Sequence, residues 1–328
     1  MRDQSARTRT GLNPPVVETG TGDPRVRVTL AHLRSLDGRA RSLSFLPRQP
    51  SGSVLNGRHA SRLRGRGLNF EELRDYLPGD DPRTIDWKVT ARTGAPHVRV
   101  YTEERDRPAL VVVDQRMSMF FGTRNAMKSV TAAETAALAA FRILDQGDRI
   151  GGVVFGDEQL TEIRPQRSRR TLDRLLRALA DANQSLRADA PHVEPMTLNE
   201  PLKAVSRIAR RNHLVIIVSD FDGTDEETRR LINGLARRND VVLCPVTDPI
   251  AHEMPDGLKI TVSDGRMQAE IDTGTEAVRR SLESLAAGRL AELLAWQRET
   301  GLAILPLSAG EDTLPQIRRL MGLSGGRR

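Results

Sequence analysis

The chain has 328 residues, 38% hydrophobic but only 3% aromatic, so it can form one large domain with an extension, or two domains, around a core of Leu, Val, Ile and Ala. Its one cysteine, Cys244, excludes an internal disulfide and a cysteine-based zinc site, and no apolar run is long enough to span a bilayer. The formal charge of +7 lies wholly in residues 1–110, which carry 20 Lys/Arg against 13 Asp/Glu, a balance that suits an acidic protein surface or nucleic acid.

Residues 1–24 are rich in Thr, Gly, Pro and charge without periodicity and read as a disordered tail. The tail lacks the apolar segment of a secretory signal, and with the single cysteine this makes a reducing cytoplasm the expected location. Residues 26–46 predict a short helix, a turn at Asp37-Gly38 and a strand. Residues 47–66 are loop-like and basic, with Arg58, Arg62, Arg64 and Arg66 close together. Phe70, Leu73 and Tyr76 fall at helical spacing, and 97–101 (HVRVY) predicts a strand.

From residue 109 strands and helices alternate. Strands are expected at 110–113, 149–155, 160–163 (an edge), 213–218, 241–246 and 302–307. Helices are expected at 126–144, 169–182 (capped by Ser168), 198–210, 225–238, 275–299 and from about 312, with a hairpin at Asp264-Gly265. This order implies an α/β fold with a mostly parallel, doubly wound sheet and helices on both faces, preceded by a small N-terminal extension. The expected division is a tail at 1–24, an extension at 25–105 and the α/β domain at 106–328.

In open α/β sheets the ligand crevice lies beyond the carboxyl ends of the strands. Two strands here end in carboxylates, VVVD at Asp114 and VIIVSD at Asp220. The set resembles the metal-ion-dependent adhesion site of von Willebrand factor type A domains, in which three loops supply Asp-x-Ser-x-Ser, a Thr and an Asp. Magnesium favours such hard oxygen ligands in octahedral geometry. Asp114 matches the first Asp, Ser118 the second Ser, Thr197 the loop-two Thr and Asp220 the loop-three Asp, whereas Arg116 stands where the first Ser belongs. The resemblance is to a degenerate site, with Arg116 pairing a strand-end carboxylate in bidentate fashion. The alternative is Mg²⁺ held by Asp114, Ser118, Thr197 and Asp220.

Arg116 also removes a haloacid-dehalogenase reading, which needs an Asp two residues after Asp114. No phosphate loop, dinucleotide fingerprint, zinc-protease motif or nucleophile elbow occurs, and the six histidines have no metal-ligand spacing. No cofactor is expected, and the chain reads as a non-enzyme.

The stretch at 65–92, GRGLNFEELRDYLPGDDPRTIDWKVTAR, is the most specific. Its charged residues Arg74, Asp80, Asp81, Arg83 and Asp86 predict an internal ion-pair network. Together with Tyr76 and Trp87, and with the later GDRIGGVVF (147–155) and VSDF (218–221), the stretch resembles the domain-of-unknown-function 58 family over about residues 55–310. That resemblance implies a von Willebrand factor A-like fold and a protein that works with a MoxR-type AAA+ ATPase in assembling or activating other protein clients. Many members carry two N-terminal membrane helices, which this sequence lacks, so a short soluble form is expected. A nucleic-acid binder using the basic third and a metal-dependent hydrolase are the alternatives. The first of these lacks the interleaved aromatics that stacking recognition uses.

Overall fold

The computed structural model describes residues 23–43, 68–78, 80–103, 107–187, 193–251, 259–263, 268–272 and 276–322. Two short helices, α1 (Leu30–Ser35) and α2 (Asp37–Ala40), precede the strand β1 (Leu68–Asp75), helix α3 (Trp87–Thr93) and strand β2 (His97–Glu103). Then come β3 (Pro108–Asp114), α4 (Lys128–Asp145), β4 (Arg149–Phe155), β5 (Leu160–Gln166), α5 (Arg169–Ser185), α6 (Asn199–Ile208), β6 (Leu214–Ser219), α7 (Glu226–Ala236) and β7 (Asp240–Thr247). A hairpin of β8 (Lys259–Ser263) and β9 (Gln268–Asp272) leads into α8 (Glu276–Thr300), β10 (Ala303–Ile304), β11 (Leu307–Ser308) and α9 (Thr313–Leu320).

The main sheet runs β10-β7-β6-β3-β4-β5, with β11 also on β7. All pairs are parallel except β4 with β5. Every residue of β3 and β6 is buried, as expected of central strands covered on both sides. Successive side chains of β3 serve opposite layers. Ala109, Val111 and Val113 join α1, α2, α4, α5 and α9 on one face, while Leu110 and Val112 join α6, α7 and α8 on the other. The connectivity reverses between β3 and β6, whose carboxyl ends carry Asp114 and Asp220. This is a doubly wound α/β arrangement with a mostly parallel sheet, as expected.

Helix α4 is buried nearly all round, and its run of alanines lets the sheet on one side and α2, α5 and α9 on the other approach closely. Edge strand β5 lies equally close to β4. A Cβ on Gly151 would sit 2.4 Å from the Ile163 carbonyl oxygen, and one on Gly152 would sit 2.6 Å from Leu175. The register shifts between Ile150 and Gly152, so the pair of glycines admits both an irregular antiparallel edge and a helix beneath it.

The structure departs from the sequence expectations in four places. Phe70, Leu73 and Tyr76 do not lie on a helix: β1 is a strand antiparallel to β2, bulged between Phe70 and Glu72. A threefold spacing of three residues fits a helix template by chance, and pairing with a strand more than twenty positions away overrides it. Asp37-Gly38 opens the helical turn α2 instead of a turn into a strand, and residues 44–46 lie outside the described residues. The strand at 302–307 is two short pieces, because Pro306 has no N–H to continue the ladder on β7. Finally, residues grouped by sequence with the extension belong to the α/β core: Val28, Leu33, Leu36, Ala40 and Leu43 are buried in the same cluster as α4 and α5. Residues 1–22, the whole basic segment at 47–66 with its four arginines, and Asp264-Gly265 lie outside the described residues.

Candidate functional site at the strand ends

Beyond Asp114 the chain leaves β3 through Gln115, whose backbone N–H donates to the Phe155 carbonyl, and enters a 3₁₀ turn at Met117–Met119. That turn folds Arg116 back over its own strand end. The Arg116 backbone N–H donates to Asp114 Oδ1 at 2.9 Å, Nη2 donates to Oδ2 at 2.8 Å, and Nε lies 3.1 Å from Oδ1. The guanidinium also donates to the carbonyls of Met196 and Asp222 at 3.1 and 3.2 Å, and Nη2 stands 3.7 Å from Asp220 Oδ1. Its carbon lies 5.7 Å from the centre of the Phe155 ring. Arg116 thus joins the ends of β3 and β6 to the loop before α6, and it is only 4% exposed.

Asp220 has its own cation. Lys128, the first residue of α4, places Nζ 2.7 Å from Asp220 Oδ2, and the Asp222 backbone N–H donates to Oδ1 at 3.0 Å. Ser219 closes the arrangement: its hydroxyl donates to Asp114 Oδ2 at 2.6 Å and accepts from the Phe221 backbone N–H at 2.9 Å. Phe221 is fully buried with φ at +56°, a strained conformation for a bulky residue, held by that bond and by its packing.

Asp114, Asp220 and Arg116 are all nearly inaccessible to solvent. Two carboxylates therefore face two side-chain cations, and the buried charge sums to zero. Burial pushes the Asp114 carboxyl above its ordinary range, against the pull of Arg116 and the Ser219 hydroxyl. Burial acts on Asp220 in the same sense, but Lys128 and then Arg116 outweigh it and hold that carboxyl below the ordinary range. Burial also opposes the Arg116 charge, yet Asp114 together with Asp220 and Asp222 keeps its pKa raised.

These contacts decide how the residues fit a divalent ion. Both Asp114 oxygens are taken by Arg116 and Ser219, and both Asp220 oxygens by Lys128 and a backbone amide. Thr197 is exposed ahead of α6, and its loop meets Arg116 through the Met196 carbonyl instead of the threonine hydroxyl. Ser118 Oγ is buried without a hydrogen-bond partner among the described residues. As arranged, the donor set is committed to side-chain cations and does not fit a metal. Sequence reasoning brought Asp114, Arg116 and Asp220 together and missed Lys128 and Ser219. One signal could have found Lys128, since the chain has only Lys88, Lys128, Lys203 and Lys259 among its many arginines.

The signature stretch forms a separate constellation around β1, α3 and β2. Arg74 and Asp80 make a bidentate pair with both bonds at 2.8 Å, and Asp80 also accepts from the Leu77 backbone N–H. Asp81 and Asp86 serve as caps. Asp81 accepts from Arg83 N–H at 3.0 Å, and Asp86 accepts from the Lys88 and Val89 amides at the start of α3. The Tyr76 backbone N–H donates to the Pro96 carbonyl, and α3 ends at Gly94 in the left-handed region. Among the described residues, the expected ion-pair network includes one bidentate pair, and two of its aspartates act as helix caps. Trp87 points outward, 67% exposed.

Fold and strand-end geometry define a doubly wound α/β domain whose crevice is closed by internal ion pairs. The chain belongs to the family described as protein of unknown function DUF58, whose model matches residues 72–292. Uncharacterized proteins of Mycobacterium tuberculosis and Mycobacterium bovis are 30% identical to it over 312 residues, covering 94% of this chain and 93% of theirs. A von Willebrand factor type A structure from Catenulispora acidiphila is 12% identical, covering 45% of this chain and 35% of its own, with a TM-score of 0.30.

Proposed function

We propose that this chain is a non-enzymatic protein-interaction module, an adaptor or chaperone-like partner of a MoxR-type AAA+ ATPase in the assembly or activation of other complexes. The observation that carries this reading is the strand-end site. Where a doubly wound fold presents its ligand crevice, both carboxylates are held by Arg116 and Lys128, which leaves no activated nucleophile or poised acid–base pair there. Membership of the family adds the ATPase to the reading.

Affinity purification of the tagged full chain from its native host, with and without nucleotide, tests the proposal. The expected result is recovery of an AAA+ ATPase in near-equal amount in at least one nucleotide state. Recovery of none in either state overturns the ATPase part of the reading.

A further inference from the structure

The signature stretch has a face that its internal contacts leave unused. Trp87, Lys88, Ala91 and Arg92 occupy positions i, i+1, i+4 and i+5 of α3, so they form one stripe on its surface, and all four are exposed. Arg83 stands exposed in the 3₁₀ turn just before, and Leu77 of the same unit is 58% exposed. Asp80, Asp81 and Asp86 are engaged with Arg74 and with backbone amides. Arg83, Lys88 and Arg92 pair with no carboxylate among the described residues. A tryptophan beside uncompensated cations is thus presented to solvent, in a chain with only 2 tryptophans.

We infer that this face of α3 docks an acidic, apolar-tipped segment of another protein, with Trp87 as the anchor and Lys88, Arg92 and Arg83 as the charged rim. The inference rests on the reading of the chain as an interaction module. Three other occupants fit less well. A second copy meeting the same face would set like charges against one another. The chain's own basic segment at 58–66 carries the wrong sign. Single-stranded nucleic acid stacks along several aromatic side chains, whereas the exposed apolar companion here is aliphatic. Tryptophan flanked by basic side chains is the composition of an interface hot spot with a polar rim.

The test uses the full chain and acrylamide quenching of tryptophan emission. Trp296 is only 2% exposed, so quenching reports Trp87. The probes are a synthetic amphipathic Leu/Glu peptide, polyglutamate and poly-uridylate. The Leu/Glu peptide should shield Trp87, polyglutamate should shield it more weakly, and Lys88→Glu/Arg92→Glu should weaken peptide binding more than about tenfold. Because both side chains are exposed and pair with no carboxylate among the described residues, the variant should keep the parent's melting temperature. No shielding by the peptide, unchanged affinity in the variant, stronger shielding by poly-uridylate, or shielding that grows with protein concentration alone overturns the inference.

The same variant separates this inference from the broader proposal. An ATPase that co-purifies equally with parent and variant overturns the assigned face and leaves the proposed function standing. Charge-dependent peptide binding with no ATPase recovered supports the face and removes the ATPase.

Discussion

Arg116 and Lys128 each neutralise a carboxylate that water no longer reaches, and taking away one member of such a pair strands the other. Asp114→Asn removes the carboxylate that Arg116 binds directly, leaving the guanidinium two backbone carbonyls and the more distant Asp220, and is expected to cost about 3–5 kcal/mol, read from urea denaturation. The acid limb of stability follows from Asp220. Its carboxyl is held below the ordinary range, so its pairing with Lys128 contributes stability above the unfolded value and loses it as pH falls through the lower folded value. Asp114, raised by burial, acts in the opposite sense: its contribution is present below the unfolded value and is lost as pH rises through the folded one. Lys128→Met should therefore flatten the fall in stability on acidification, as measured by thermal melts across the acid range. Arg116→Ser frees one side of Asp114 and restores a hydroxyl at that position, but Lys128 still occupies Asp220. Mg²⁺ titration by calorimetry should accordingly show a larger gain for Arg116→Ser/Lys128→Ala than for Arg116→Ser alone. The Arg116 contact was legible in the sequence because it closes over two residues, within one turn. The Lys128 and Ser219 contacts join positions about a hundred residues apart, and only the sheet order brings them together.

Among the elements, the buried strands were the most legible, because runs such as LVVV and LVIIVS have few alternatives once both faces are covered. The hairpin of β1 and β2 was not, since its register comes from a partner strand and not from its own pattern. α1 was legible as a helix but not as part of the core, because a six-residue element carries too few apolar positions to show where it docks. Leu33 is fully buried within it, so Leu33→Ala should cost about 2–5 kcal/mol, as much as a central core position. Val28 explains how α1 is fixed: its backbone N–H donates to Asn183 of α5, and Asn183 in turn donates to Gln115 beside the strand-end site. At the β4–β5 edge of the sheet, Gly151→Ala places a methyl group against the β5 backbone and should lower the melting temperature of the whole domain, a loss that calorimetry would read.

For the molecule as a whole, internal cations at the crevice predict that partner binding ignores divalent ions. In the absence of nucleotide, chelation with EDTA should leave the recovery of any co-purifying ATPase unchanged, and dependence on Mg²⁺ in that state would contradict the closed site. Among the described residues no helix is long and apolar enough to cross a membrane.

Glu134, midway along α4, takes one oxygen to His32 of α1 at 2.6 Å and the other to the Thr313 hydroxyl of α9. Arg318 of α9 also reaches Ser42, just beyond α2, at 3.0 Å. The first and last described helices are therefore neighbours, clasped by a single carboxylate. Trimming α1 or α9 strips a partner from the same side chain, so nested deletions from the two sides should not be additive in stability. A circularly permuted chain, with α9 leading through a short linker into α1, would keep all of these partners in place.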